Sequence, residues 1–256
     1  MIELIFVIPT LIWSLIVSNP SPTHRQLIGK LLSSAIRLWL HTQVERVETL
    51  KVHIVGGDRP LLAGKLTGIQ VQAHGVVYRG LHFTQIHLNA DQVSINLGQV
   101  LRGKPFKLLD PVPVTCHLTL TERDLNASLQ SPLLMGVIED FFQRFSHFLV
   151  KSPPELSNLK TMTAHIQPNQ LTVGVYPHDS VEHVEPVVLR TDFGLHSGRY
   201  LRLQHPCQLL STPVMEQSLP ALEGVELDLG EHVAIAQLTL GSGVLVCEGQ
   251  LVVLPG

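Results

Sequence analysis

Fourteen histidines in 256 residues raise a metal or acid–base reading first, because imidazole is both a common metal ligand and the side chain that titrates near neutral pH. Their spacing argues against it. His82 and His87 are five apart in a segment that reads as strand, and His178 and His183 are five apart in a loop. No H-x-x-x-H pair sits on a helix and no Cys/His set has zinc spacing. His178-Asp179-Ser180-Val181-Glu182-His183 is the best local cluster, readable as a ligand set or as a polar loop. Glu139, Asp140, Arg144 and His147 together imitate acid–base machinery. Asp140 and Arg144, however, are an i,i+4 pair worth only about 0.2–0.5 kcal/mol, as expected on a solvated helix face. There is no G-x-S-x-G elbow and no P-loop, and the Gly-x-Gly pairs fall in turns. Cys116, Cys207 and Cys247 form neither a C-x-x-C motif nor a disulfide framework, and the first and last read as buried thiols. The expectation is no catalytic residue, no metal site, no cofactor and no enzyme.

The spacing that does carry information lies in Thr121-Glu122-Arg123-Asp124-Leu125-Asn126-Ala127-Ser128-Leu129-Gln130-Ser131-Pro132. Thr121 is a natural N-cap with Asp124 three residues on, so hydroxyl and carboxylate can each take a first-turn backbone N–H. Asp124 and Asn126 both read as helix-start residues. Pro132 either kinks the helix or restarts it with Ser131 as a second cap. Beyond it Leu134, Ile138, Phe141, Phe145 and Phe148 share one face, with Phe142 beside them. Four of the eight phenylalanines fall between Phe141 and Phe148. They either fill a core beneath a sheet or line a lipid groove. Val71, Phe83, Val173 and Phe193, on strands, are the facing candidates for such a groove.

Elsewhere the hydrophobic period is two. Leu50-Val52-Ile54, Ile69-Val71-Ala73, Ile86-Leu88-Ala90, Val114-Cys116-Leu118 and Leu171-Val173-Val175 alternate cleanly. The phase slips between Phe83 and Ile86, which suggests a bulge. Leu189–Leu203 around His196-Ser197-Gly198-Arg199, and Val233–Val246 around Gly241-Ser242-Gly243, read as hairpins. No helix recurs at βαβ spacing. The expected class is α+β: an elongated, strongly curved antiparallel sheet wrapped around a central amphipathic helix at 121–150, with an N-terminal apolar segment and helix. Lys151-Ser152-Pro153-Pro154 reads as a short linker between two similar strand-rich halves.

The first helix runs from about His24 to Val44, with a narrow cationic stripe on a broad apolar face. That pattern suits either a membrane surface or packing on a sheet. Before it, Leu4 to Val17 is apolar but too short to span a bilayer straight, which takes about 20 residues. Glu3 stands where an export signal would carry a base. The segment is an atypical export signal, an uncleaved anchor or a packed first helix. Leu4, Ile5, Phe6, Leu11, Ile12 and Trp13 are its candidate membrane contacts. The apolar fraction of 45%, mean hydropathy of +0.24 and charged fraction of only 15% are those of a greasy chain. A net charge of −3 without a basic block gives no support to nucleic-acid binding.

Leu118 to Pro132 resembles the "L-T-x-x-D-L-N-x-x-L-x-S-P" stretch of the LmeA-like phospholipid-binding family. Val44–Val52 looks like that family's opening strand, Leu62–Ile69 like its "l-x-G-x-i-x-x-i" strand, and Ser197–Leu203 like its "G-R-x-L-x-L" hairpin. The order covers about Val44 to Val253 and looks most like cyanobacterial-type members. The resemblance implies an architecture similar to tubular lipid-binding and AsmA-like proteins, phospholipid binding outside the cytoplasm, and no catalytic residues.

Together these readings give residues 1–22 as an apolar N-terminal segment and 23–256 as one lipid-binding-like domain. The expected function is non-enzymatic: acyl chains of a phospholipid or other membrane lipid held between sheet and helix, at a membrane surface. The alternative is a membrane-anchored interaction or assembly module with a solid core. The expected location is the extracytoplasmic side, periplasm or thylakoid lumen, with the cytoplasmic face as the alternative.

Overall fold

The structure, a computed structural model, describes residues 22–55, 64–150, 159–177, 186–211 and 214–255. The candidate membrane contacts Leu4 to Trp13, the Lys151–Pro154 linker and the His178–His183 cluster lie outside the described residues.

The alternating runs form two open antiparallel sheets. The first contains β1 (Thr49–Val55), β2 (Lys65–Tyr78), β3 (Leu81–Ser94), β4 (Val112–Thr121), β11 (Val233–Leu240) and β12 (Val244–Val253), in the order β1-β2-β3-β4-β12-β11. The second contains β5 (Leu159–Gln167), β6 (Gln170–Pro177), β7 (Val187–His196), β8 (Tyr200–Ser211), β9 (Val214–Ser218) and β10 (Glu226–Asp228). Its order is β10-β8-β7-β6-β5, with β9 also on β8. Both expected hairpins are present, as β7–β8 and β11–β12.

Four α-helices are described: α1 (Pro22–Gln43), α2 (Leu97–Val100), α3 (Glu122–Ser128) and α4 (Pro132–Phe145). The expectation of one sheet around one helix is corrected here. α1 buries Leu32 and Ile36 on the first sheet, against Ile69, Val71, Val93 and Val114. α4 covers the second sheet, with Phe142 against Met162, Val175 and Val187. Period-two patterning says which residues share a face but not which strands are neighbours, so one sheet and two sheets read alike. The C-terminal hairpin returns to the first sheet, where β12 pairs with β4.

β3 pairs with β2 in one unbroken register, so the phase slip after Phe83 is not a bulge. It marks a change of face opposite Gly75, whose φ is +58°. The sheets meet through main-chain bonds from Gly243 N to Ile166 O (2.9 Å), Asn169 N to Leu240 O (3.0 Å) and Ile235 N to Gly198 O (2.6 Å). Gly198 has φ +68° and comes so close that a Cβ would lie 2.9 Å from the Ile235 carbonyl oxygen. Glycine is the residue that allows both. All three cysteines are free and buried.

Candidate functional site

The short helix α3 starts where β4 stops. The Thr121 hydroxyl accepts from Asp124 N (3.3 Å) and the Asp124 carboxylate accepts from Thr121 N (3.0 Å), a complete capping box. Asp124 Oδ2 accepts two further bonds, from the Thr121 hydroxyl at 2.8 Å and from Thr84 on β3. Burial alone would raise this carboxyl's pKa. The hydroxyl and backbone donors and the nearby His82 outweigh burial and hold it below the ordinary value. One turn on, the Ser128 hydroxyl accepts from His82 N at 2.7 Å and donates to Asp124 O at 2.7 Å. One side of α3 is therefore fastened to β3 of the first sheet.

The other side grips the second sheet. Asn126 Nδ2 donates to Ala164 O at 2.7 Å, and Asn126 Oδ1 accepts from Ala164 N at 2.9 Å. The amide thus satisfies both main-chain groups of one β5 residue, as a neighbouring strand would. Four residues earlier, Glu122 Oε2 accepts from Ile166 N at 2.9 Å, and Oε1 lies 3.3 Å from His165 Nδ1. The Ile166 N–H is the main reason the Glu122 carboxyl titrates below its usual range. β5 is an edge strand, so Glu122 and Asn126 supply what a further strand beside it would. Asn126, read from sequence as a helix-start residue, joins the two sheets instead. Its trace in the sequence is an amide inside a helix, where asparagine is disfavoured without a partner.

The helix then restarts. Ser131 caps α4 by accepting from Leu134 N at 3.2 Å, with Pro132 in the first turn. Phe141 packs edge-on to Phe142 (ring centroids 5.7 Å) and tilted to Phe145 (5.1 Å). Leu134, Ile138, Phe141 and Phe145 line the second core half-buried, and Phe142 is only 8% exposed. Phe148, at 43%, faces outward beside His147. Leu133 and Val137 lie exposed on the flank of this stripe, and the far side of α4 carries the exposed Glu139, Asp140, Gln143 and Arg144. Among the described residues no hydrogen bond joins α4 to the second sheet. It is held by apolar packing between two polar anchors: the α3 bracket before it, and Gln208, fully buried, whose Oε1 accepts from Val150 N at 2.8 Å.

Of the strand candidates, Val173 is in register with residues of the core under α4, whereas Val71, Phe83 and Phe193 are not grouped with it. Val71 belongs to the core under α1. Phe83 lies half-buried on β3 opposite Val76. Val173 is half-buried on β6 between Ala164 and Leu189. Phe193 lines a cleft of about 260 Å³ with Asp192, Gln204, Leu238 and Leu240, where the second sheet meets β11. Asp140 and Arg144 form the exposed ion pair expected of them, at 2.8 Å. Among the described residues no three His, Cys, Asp or Glu side chains are grouped to hold a metal. No described helix is long and apolar enough to cross a membrane.

A second cleft, of about 590 Å³, opens between α1 and β1. It is lined by Gly29, Lys30, Ser33, Ser34 and Arg37 on the helix and by Val52, His53 and Ile54 on the strand.

A family model described as LmeA-like phospholipid-binding matches residues 23–250. No curated protein matches the chain, and no solved structure does.

Proposed function

This chain belongs to the LmeA-like phospholipid-binding family, and from that premise we propose that it holds phospholipid acyl chains between α4 and the second sheet, without catalysis, at a membrane. The observation that carries this reading is the way α4 is attached. Apolar side chains alone fix it to the sheet, while its outward side is polar, with Glu139, Asp140, Gln143 and Arg144 exposed. Polar brackets at its two ends let its middle lift without breaking a hydrogen bond. Acyl chains entering there would replace protein–protein contacts by protein–lipid contacts of the same chemistry, with about 0.8 kcal/mol gained per CH₂ withdrawn from water. Leu134, Ile138, Phe141, Phe142 and Phe145 would form the wall, with Val173 behind them. Phe148 would sit at the rim. Thr121, Asp124 and Asn126 would hold the frame rather than touch lipid.

The motif order supports grouping the chain with the cyanobacterial-type members. Its sheet-and-helix layers support kinship with tubular lipid-binding and AsmA-like architectures. An extracytoplasmic location is the part of the proposal that rests on the family alone.

Native mass spectrometry with lipid extraction tests the reading, on the full chain and on a chain starting at residue 22. Stoichiometric phospholipid in both, lost in a Phe141→Asp variant, is the expected result. An empty protein that also ignores liposomes overturns it. The tight packing of Phe142 on Met162, Val175 and Val187 then favours the solid-core assembly module instead.

A further inference from the structure

We propose that the cleft between α1 and β1 is a second lipid-facing site, one that docks the protein on a bilayer by taking the phosphate groups of anionic lipids. The proposal rests on the phospholipid reading for its choice of ligand, and it concerns a different face of the molecule from α4.

The cleft is a shallow, open trough. Gly29 lacks a side chain and has open space where a Cβ would be, and Ser33 is small, so α1 stands away from β1 there. Lys30 and Arg37 are seven residues apart, two helical turns or about 10 Å along the axis, and flank the opening. His53 closes it from the strand. None of the lining residues is acidic. Lys30, Arg37 and His53 have no ion pair or hydrogen bond among the described residues. By contrast Arg46, Arg144, Arg190, Arg199 and Arg202 are each matched with a carboxylate. In a chain of net charge −3, a face with unpaired cations and no carboxylate in its lining is complementary to an anionic surface.

The apolar component lies alongside. While Leu32 and Ile36 are buried in the core, Leu31 and Leu38 project from the other side of α1 at 45% and 69% exposure. They form a ridge next to the cationic stripe, which is the layout of a helix lying in a membrane interface. The bilayer is favoured over a soluble phosphate because a free anion has no use for that ridge.

The test uses the full-length protein with two vesicle compositions, phosphatidylcholine alone and phosphatidylcholine with one-third phosphatidylglycerol. Each Lys or Arg near an anionic surface contributes about fivefold to partitioning. Lys30→Gln/Arg37→Gln should therefore bind the anionic vesicles about thirtyfold more weakly and the neutral ones unchanged. Lys30→Arg/Arg37→Lys should retain binding. Replacement of the exposed Arg123 of α3, Arg123→Gln, should alter it less than twofold. Leu38→Ser should weaken binding to both compositions. Lipid retained by each variant, read by native mass spectrometry, reports the α4 site separately. A Lys30/Arg37 variant that carries lipid but no longer docks supports this proposal. One that docks like the parent overturns it while leaving the α4 reading intact. A loss of about fivefold from Arg123→Gln, the same per charge as for the double variant, shows general charge attraction and also overturns it. Inorganic phosphate that shifts the His53 ring resonances, with no vesicle binding, makes the cleft a soluble-anion site and overturns the bilayer assignment.

Discussion

Replacing Asn126 by alanine tests the bracket between the sheets. The parent amide bonds both main-chain groups of Ala164, at 2.7 and 2.9 Å, and returns a third bond to Glu122 O at 2.8 Å. Ala164 is 0% exposed, so truncation leaves a buried N–H and a buried C=O unpaired. Each unsatisfied group costs about 1–3 kcal/mol. Water admitted into the space of the lost amide recovers part, which leaves about 3 kcal/mol. For a chain of this size that is a fall in Tm of about 6–12 °C. Urea unfolding should show the loss as a lower midpoint with unchanged slope, and hydrogen exchange at the Ala164 and Ile166 amides should accelerate first. Asn126→Asp should not rescue, because its second oxygen faces the Ala164 carbonyl. Glu122→Ala, which releases one backbone donor from a partly exposed carboxylate, should lose only about 1 kcal/mol. An Asn126→Ala protein within about 0.5 kcal/mol of the parent would refute the bracket, since surface substitutions away from special features fall in that range.

Three further outcomes follow from the packing and electrostatics. Phe142→Ala should lower stability by about 3–5 kcal/mol in urea titration, whereas Phe148→Ala, on the outer side, should stay within about 1 kcal/mol. Gly80→Ala should destabilise measurably in thermal melts, because Gly80 has φ +74° and a Cβ there would lie 2.7 Å from the Ser131 Cβ, pushing the α4 cap off the β2–β3 turn. The Arg199 guanidinium, 2.6 Å from Asp228, together with the Gly230 N–H, holds the Asp228 carboxyl at about 2 instead of 3.8. Its stabilising effect is complete above pH 3.8 and disappears as pH falls through about 2. The parent's advantage over Asp228→Asn in urea midpoint should shrink across that window and stay constant above it.

The local chemistry was legible in the sequence. Thr121 and Asp124 close the capping box that their spacing predicts, and Ser131 restarts the helix at Pro132. Alternation located the strands, and Gly241-Ser242-Gly243 located the final turn. What depends on distant partners was not legible. Asn126 finds Ala164 thirty-eight residues away, and no periodicity encodes that meeting. Val71 and Val173 carry the same alternating pattern yet lie in different sheets, because apolar spacing fixes a side chain's face and not its opposite number. The cationic stripe of α1 was visible as Lys30 and Arg37, but the cleft also needs His53 and the gap at Gly29, which only folding brings together. Burial that raises the thiol of Cys247 to about 11 agrees with the sequence reading of an inert core cysteine.

The most direct test of the central claim is photocrosslinking of the full-length protein with a phosphatidylglycerol carrying a diazirine near the end of one acyl chain, followed by peptide mapping. Adducts concentrated between Leu134 and Phe148 and on the facing strands β5 to β7 are the expected result. Adducts confined to the residues before α1, with none on α4, would contradict it.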